Sequence, residues 1–350
     1  MKRYTLEEIG KLAGVSRATV SRVINHYPHI RPEIRERVEA VIAQTGFQPN
    51  AVARSLVSSR TNIVGLIIPS TVEEVFTDPY YAYVINGISQ SCNTNGLILS
   101  LFLIHSLEEE RNVIQAVVGT GLVDGLIITA SRRNREMLAT LLASQLPIVF
   151  IGQPDNDTNT HYVDVDNVSG GYLATEHLIS LGYENIGIIV SYMNKSGEAR
   201  LDGYKRALND HGLPFSEDLV AYGDYSLESG YHAMKQLIKR KPQAVFATND
   251  TMAFGAIRAL KEAGLRVPED IAIIGFDDLP SAQRSENPAL STIHQPIQQT
   301  GLDAVELLLK VVNGEVQKAQ HQSFRQRWLF AKAAAHLERL AREAKNTATS

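Results

Sequence analysis

The sequence is poor in residues that cross-link, carry redox chemistry or bind soft metals. Its 350 residues include one cysteine, Cys92, and one tryptophan. A lone thiol excludes an intramolecular disulfide and any zinc site built on several cysteines. It lies in an apolar stretch and reads as a buried structural thiol. Long apolar runs are also missing. Those at 63–68 and 97–104 are far too short to span a bilayer. The opening Met1-Lys2-Arg3-Tyr4-Thr5 leads into no signal-peptide core, so a soluble, cytoplasmic, nucleoid-associated protein is expected. There is no G-x-x-x-x-G-K-[ST] phosphate loop, no G-x-S-x-G elbow and no His/Cys metal spacing. No catalytic residue, metal ligand or cofactor is therefore assigned, and an enzyme on an α/β scaffold is the weakest reading.

An overall positive charge is lacking as well, since the chain carries a formal −4. The distribution is uneven. Residues 1–60 hold ten Lys and Arg against five Glu, a local +5 that leaves −9 for the rest. A small basic head on an acidic body suggests a polyanionic partner for the head alone. A solvated helical domain would give the same imbalance.

What the head does contain is helix punctuation. Thr5-Leu6-Glu7-Glu8 is a capping box, followed by an apolar face of Leu6, Ile9, Leu12 and Ala13. Gly14 permits a tight turn, and Ser16 can cap a second helix carrying Ala18, Val20, Val23 and Ile24 and ending near Asn25. A third helix starts at Pro32, buries Ile34, Val38, Val41 and Ile42, and stops at Gly46. Two short helices around a glycine turn make a helix-turn-helix, although any small three-helix bundle has similar spacing. In a helix-turn-helix the second helix would put Arg17, Ala18, Ser21 and Arg22 on base edges. Arg17 and Arg22 suit guanine, Ala18 suits a thymine methyl, and Ser16, Thr19 and Ser21 suit phosphates.

The run L-E-E-I-G-K-L-A-G-V-S-R-A-T-V-S-R-V-I-N, then R-x-R-V and G-F-Q-P-N-A-V-A-R-S-L, resembles the signature of the lactose/galactose repressor family. The resemblance adds Thr5, Asn25, Asn50 and Ala53 to the DNA contacts. It also implies a hinge helix at 49–60, too short to be stable alone, whose Leu56 wedges into the minor groove. Without the family, Leu56 reads as an ordinary packed leucine.

From residue 61 short apolar strands alternate with helical stretches, at 63–68, 97–104, 125–129 and 147–151, then 186–190, 244–248 and 271–276. This pattern indicates two subdomains of parallel βαβ units with a ligand at the strand carboxyl ends. The class is α/β: an all-α head joined by a hinge helix to a two-subdomain core resembling periplasmic sugar-binding proteins. The expected division is 1–48 head, 49–60 hinge, 61–334 core and 335–350 tail. Within the core one subdomain takes 61–162 and 293–322, the other 163–292 and 323–334. The helix-forming stretch 331–344 has only a narrow apolar stripe and reads as a frayed tail.

The body also matches the family in D-N-x-x-G-G-x-x-A-x-x-H-L at 166–178, R-x-x-G-Y at 200–204, A-x-N-D at 247–250 and G-F-D-D at 275–278. By resemblance Arg200, Asn249 and Asp277 contact the effector, Tyr225 offers an aromatic face, and Tyr80 and Tyr81 line the opposite wall. An arginine fork, a carboxylate and an amide suit the hydroxyls of a carbohydrate. Plainer roles stand beside these. Asp166 and Asn167 suit caps of a helix starting near Val168, Asn249 and Asp250 suit caps of the next, His177 suits core packing, and Arg132-Arg133 suits a solvated pair. The chain departs from the family in a longer, more acidic 69–79 loop, and in Gly152-Gln153, where some members carry a sugar-binding Asp or Arg.

The family resemblance implies a homodimeric repressor on a pseudo-palindromic operator, released by a small molecule, with no membrane partner. A cytoplasmic sugar-binding protein, or a corepressor-activated or activating regulator of the same fold, is the alternative.

Overall fold

The computed structural model describes residues 4–24, 27–47, 60–104, 106–130, 135–154, 159–281, 289–316, 318–324 and 327–329. The chain divides into two compact units, 1–61 and 62–350.

Among the described residues of the first unit are the helices α1 (Leu6–Ala13), α2 (Arg17–Ile24) and α3 (Pro32–Thr45). The capping box forms as its spacing predicts: Glu8 N–H donates to Thr5 Oγ1 at 3.2 Å, and Thr5 N–H donates to Glu8 Oε2 at 2.8 Å. Gly14 closes α1 with φ +64°, a conformation that costs glycine little. Ile9, Ala13, Val20, Val23, Val38 and Phe47 form the core. Burying each of the larger ones stabilises by about 1.5–3 kcal/mol, so a core this small tolerates few losses. Leu12 departs from the expected apolar face. It is 58% exposed, because Ile9 and Ala13, four residues apart, already take the buried stripe.

The second unit contains two six-stranded sheets. The first has the order β11-β5-β4-β3-β1-β2 and the second β12-β10-β9-β8-β6-β7. In the first are β1 (Ile63–Ile68), β2 (Ile98–Leu103), β3 (Gly125–Thr129), β4 (Ile148–Ile151), β5 (His161–Val165) and β11 (His321–Phe324). In the second are β6 (Ile186–Ser191), β7 (Val220–Gly223), β8 (Ala244–Ala247), β9 (Ala272–Asp277), β10 (Ser291–His294) and β12 (Arg327–Leu329). All pairings are parallel except β10 with β12. The inner strands β3, β4, β6, β8 and β9 are buried throughout, which is why they read as continuous apolar runs.

Helices cover the sheets in close pairs: α5 (Pro79–Thr94) with α12 (Ile297–Val312), α8 (Asn167–Ser180) with α9 (Lys195–Asp210), and α10 (Leu227–Leu237) with α11 (Asp250–Glu262). Short α4 (Val72–Thr77), α6 (Leu107–Val118) and α7 (Arg135–Ala143) complete the first lobe. Each close pair meets through glycines, Gly87 with Gly301, Gly171 with Gly203, and Gly230 with Gly255. A side chain at any of these would strike the facing backbone.

The strands place the lobe crossings a few residues from where the sequence suggests. Strand β5 lies wholly in the first sheet and β10 wholly in the second, so divisions at 162 and 292 would cut both. The third, at 322, falls inside β11. Cys92 is buried as expected, and desolvation pushes its thiol up to about 11. No described helix is long and apolar enough to cross a membrane.

Candidate effector cleft and DNA-reading face

On α2 the side chains divide cleanly. Val20 and Val23 are buried, while Arg17, Ala18 and Arg22 are exposed and Ser21 is partly so. Among the described residues neither Arg17 nor Arg22 is held in an ion pair or hydrogen bond. Ser16 caps α2, its Oγ accepting from Thr19 N–H at 3.2 Å and meeting Thr19 Oγ1 at 2.9 Å. Both hydroxyls are thus fixed at the start of the helix that carries the arginines. Asn25, Asn50, Ala53 and Leu56 lie outside the described residues, as do Arg132-Arg133 and the tail.

In the second unit a cavity of about 380 Å³ opens at the strand carboxyl ends, within the range of small-molecule sites. Its wall includes Tyr80, Tyr81, Arg200, Tyr225, Asn249 and Asp277, so all six expected effector residues meet there. Each arrives from the end of a strand or the start of a helix. Ser70 follows β1, Gly152 follows β4, Asn194 follows β6, Asn249 follows β8, and Asp277 ends β9.

Arg200 is 5% exposed and held on all three of its guanidinium nitrogens. Its Nε donates to Asn167 Oδ1 at 2.9 Å and Nη2 to Gln295 Oε1 at 3.2 Å, while Nη1 donates to the Thr248 carbonyl. Its guanidinium lies 3.5 Å from the centroid of Phe276. These four contacts fix the fork rigidly, a preorganisation that spares a ligand the entropy of ordering it.

Asp277 is the contrasting case. It is 4% exposed and sits at φ +120°, an unfavourable backbone for a residue with a side chain. No described donor hydrogen-bonds its carboxyl. Burial pushes its pKa well up, Arg200 opposes the rise, and the charges of Asp250 and Asp78 add to it. Its side chain lines the cavity.

Asn249 combines both of its readings. Its Oδ1 accepts from Met252 N–H at 2.9 Å, capping α11, and its Nδ2 donates to the Tyr225 carbonyl at 3.1 Å. It therefore holds in place the loop on which Tyr225, at φ +74°, presents its ring. The Tyr225 hydroxyl donates to Asn194 Oδ1 at 2.8 Å. Across the cleft Tyr80 and Tyr81 pack edge to face, their centroids 5.7 Å apart. Burial raises the Tyr80 hydroxyl pKa, and the nearby Asp277 and Asp164 charges raise it further.

Several site residues escaped sequence reasoning. Asp166 does cap α8, accepting from Ser169 N–H at 2.9 Å. Asn167 does not cap. It joins Asp164 to Arg200, donating to Asp164 Oδ1 at 3.1 Å. Asp250 is no cap either. Fully buried, it accepts from Leu279 N–H at 2.8 Å and Thr292 Oγ1 at 2.6 Å, pinning the turn after Asp277. His177 is half-buried rather than a core residue. Gln295, Asp164 and Asp78 also line the cavity. For Asp164 and Gln295 the only sequence signal was a polar residue beside apolar ones, whereas Asp78 belongs to the acidic 69–79 loop. Gly152, at φ +85°, lines the cavity without a side chain, and a Cβ there would come within 3.2 Å of Ala130 Cβ.

The description of bacterial regulatory proteins of the lacI family matches residues 5–50, and that of a periplasmic binding protein-like domain matches residues 175–328. The chain is 36% identical to the HTH-type transcriptional regulator CelR of Thermobifida fusca over 320 residues, covering 90% of this chain and 93% of CelR. It is 37% identical to the HTH-type transcriptional repressor PurR of Haemophilus influenzae strain PittEE, over 91% of this chain and 94% of PurR. Among solved structures, a CelR–cellobiose complex matches with TM-score 0.75 at 33% identity, covering 95% of this chain and all of that one. The lac repressor dimer bound to operator and the anti-inducer ONPF matches with TM-score 0.82 at 27% identity, covering 95% and 99%. These relatives are regulators rather than enzymes.

Proposed function

Because this chain belongs to the lacI family of bacterial regulatory proteins, and so is a DNA-binding transcription regulator under small-molecule control, we propose that it is a repressor whose effector is a carbohydrate. The observation that carries the effector class is Asp277, whose carboxyl meets no donor among the described residues and lines the cavity beside a guanidinium held by Asn167, Gln295 and the Thr248 carbonyl. A polyhydroxyl ligand supplies donors to the carboxyl and acceptors to the surrounding amides, with Tyr225 and Tyr80 offering aromatic faces. The solved CelR complex holds cellobiose, which agrees with this class.

Arg17, Ala18, Ser21 and Arg22 read base edges, and Ser16 and Thr19 fix the register on phosphates. Thr5, Asn25, Asn50 and Ala53 add contacts, and Leu56 of the 49–60 hinge wedges the minor groove. The working unit is a homodimer on a pseudo-palindromic operator, two protein half-sites matching two DNA half-sites. Ligand binding biases the lobe arrangement, and it can shift operator affinity only by its differential affinity for the two states, typically about 1–3 kcal/mol.

The experiment is a titration of neutral saccharides against the protein bound to a labelled pseudo-palindromic operator. Release by at least one saccharide, and by no nucleobase or amino acid, is the expected result. Release by a nucleobase alone would overturn the effector class.

A further inference from the structure

A second carboxylate faces Asp277 from the other lobe. Asp78 stands between β1 and α5, at the end of the acidic segment that the family resemblance marked as unusually long. Its Oδ1 accepts from Tyr80 N–H at 3.1 Å and so caps α5. Half-buried, it lines the same cavity as Asp277, and its charge reaches that residue. Burial lifts its own pKa to about 6, against the pull of the Tyr80 N–H. Two carboxylates on opposite walls of a desolvated cleft repel each other. Among the described lining residues there are also Glu74, Asp164, Asp224 and Glu228, and Arg200 is the sole cation. Three of its five N–H donors go to protein acceptors, which leaves one on each terminal nitrogen.

We propose that Asp78 is a ligand-binding, specificity-determining residue that forms with Asp277 a two-carboxylate clamp across the cleft, one that takes effectors with hydroxyl donors on two edges and rejects those bearing phosphate or carboxylate. The inference rests on the carbohydrate reading and sharpens it to uncharged saccharides. Each wall of the clamp needs a donor. A single sugar edge satisfies one wall, and the opposite edge brings the second wall within reach. Without a ligand, like charge holds the walls apart. An anionic group placed between them would add repulsion, with Arg200 the one cation among the described lining residues to set against six carboxyl side chains.

The test uses the full-length protein and its Asp78→Asn variant. Asparagine caps a helix as well as aspartate does, so α5 is kept while the charge is removed. Calorimetry would compare cellobiose with cellobionate, and ribose with ribose 5-phosphate. The wild type should bind the preferred neutral sugar at least tenfold tighter than its anionic partner. Asp78→Asn should weaken the neutral sugar about tenfold and narrow the gap between the pair. Equal affinity for the neutral and anionic sugars in wild type, or an unchanged gap in the variant, overturns the clamp while leaving the carbohydrate reading standing.

If none of the four probes binds, it is the carbohydrate reading that is challenged, and the clamp is decided by thermal unfolding without ligand. Removing one of two repelling charges should raise the midpoint of Asp78→Asn above wild type at pH 8. An unchanged or lowered midpoint overturns the clamp.

Discussion

Gly203 of α9 lies against the carbonyl of Val168 in α8 so closely that a methyl group at 203 would collide with it. Gly171 makes the reciprocal approach to the backbone of Arg200. The two helices therefore meet backbone to backbone, and this brings the Arg200 side chain within reach of Asn167, one residue before Val168. Gly203→Ala should force the helices apart. Overpacking of this kind costs about 1–3 kcal/mol. The expected outcome is a lower thermal midpoint together with a weakened effector response. A midpoint equal to wild type would show that the crossing can relax and that the glycines do not position Arg200.

Asp277→Ala should abolish the effector response while operator binding without ligand stays near wild type. A charged hydrogen bond to the ligand is lost, and with it about 1–3 kcal/mol, or roughly tenfold to a hundredfold in affinity. The unliganded protein should gain stability slightly, since a desolvated carboxyl is removed. Saccharide titration of the operator complex and unfolding curves check the two halves separately. A normal response in the variant would take Asp277 out of the site.

Arg22→Ala should cost about 1–3 kcal/mol in operator binding if its exposed fork reads a base edge. Binding to random DNA should change far less. Fluorescence anisotropy on both DNAs at one salt concentration separates the outcomes. Equal losses on the two would mean that Arg22 touches phosphate only.

Stability should fall as pH rises between about 4 and 7. Burial holds Asp250 up to about 7, against an ordinary 3.8, and the Asp278 charge pushes the same way against the Thr292 and Leu279 hydrogen bonds. In that window the folded chain keeps a proton that the unfolded chain has released, so each step up in pH favours unfolding, and the slope levels off above the folded value. Asp277 and Asp78 shift in the same direction. Asp250→Asn mimics the protonated form and should flatten the profile. Denaturant midpoints measured from pH 4 to 8 test this, and an identical slope in the variant would rule out Asp250 as the source.

Local structure was legible in the sequence, and so were six of the residues that line the cleft. The Thr5 and Glu8 capping box, the Gly14 and Gly46 stops and the apolar spacing of α1 to α3 act within a few residues, so they are readable without a fold. The buried inner strands were legible because both of their faces are apolar. Strands β5, β7 and β10 were not, since sequences such as His161-Tyr162-Val163-Asp164-Val165 and Ser291-Thr292-Ile293-His294 carry polar residues and are strands only because a neighbour pairs with them. The family motifs led to all six expected cleft residues, but not to the division of labour among them. Tertiary structure decided that Arg200 is held by Asn167 and by Gln295, the latter 95 positions away, that Asp250 braces the Asp277 turn, and that Asp78 and Asp277 line one cavity. Hydrogen bonds and charge repulsion depend on distance in space, and where two lobes close on one cavity that distance is unrelated to separation along the chain.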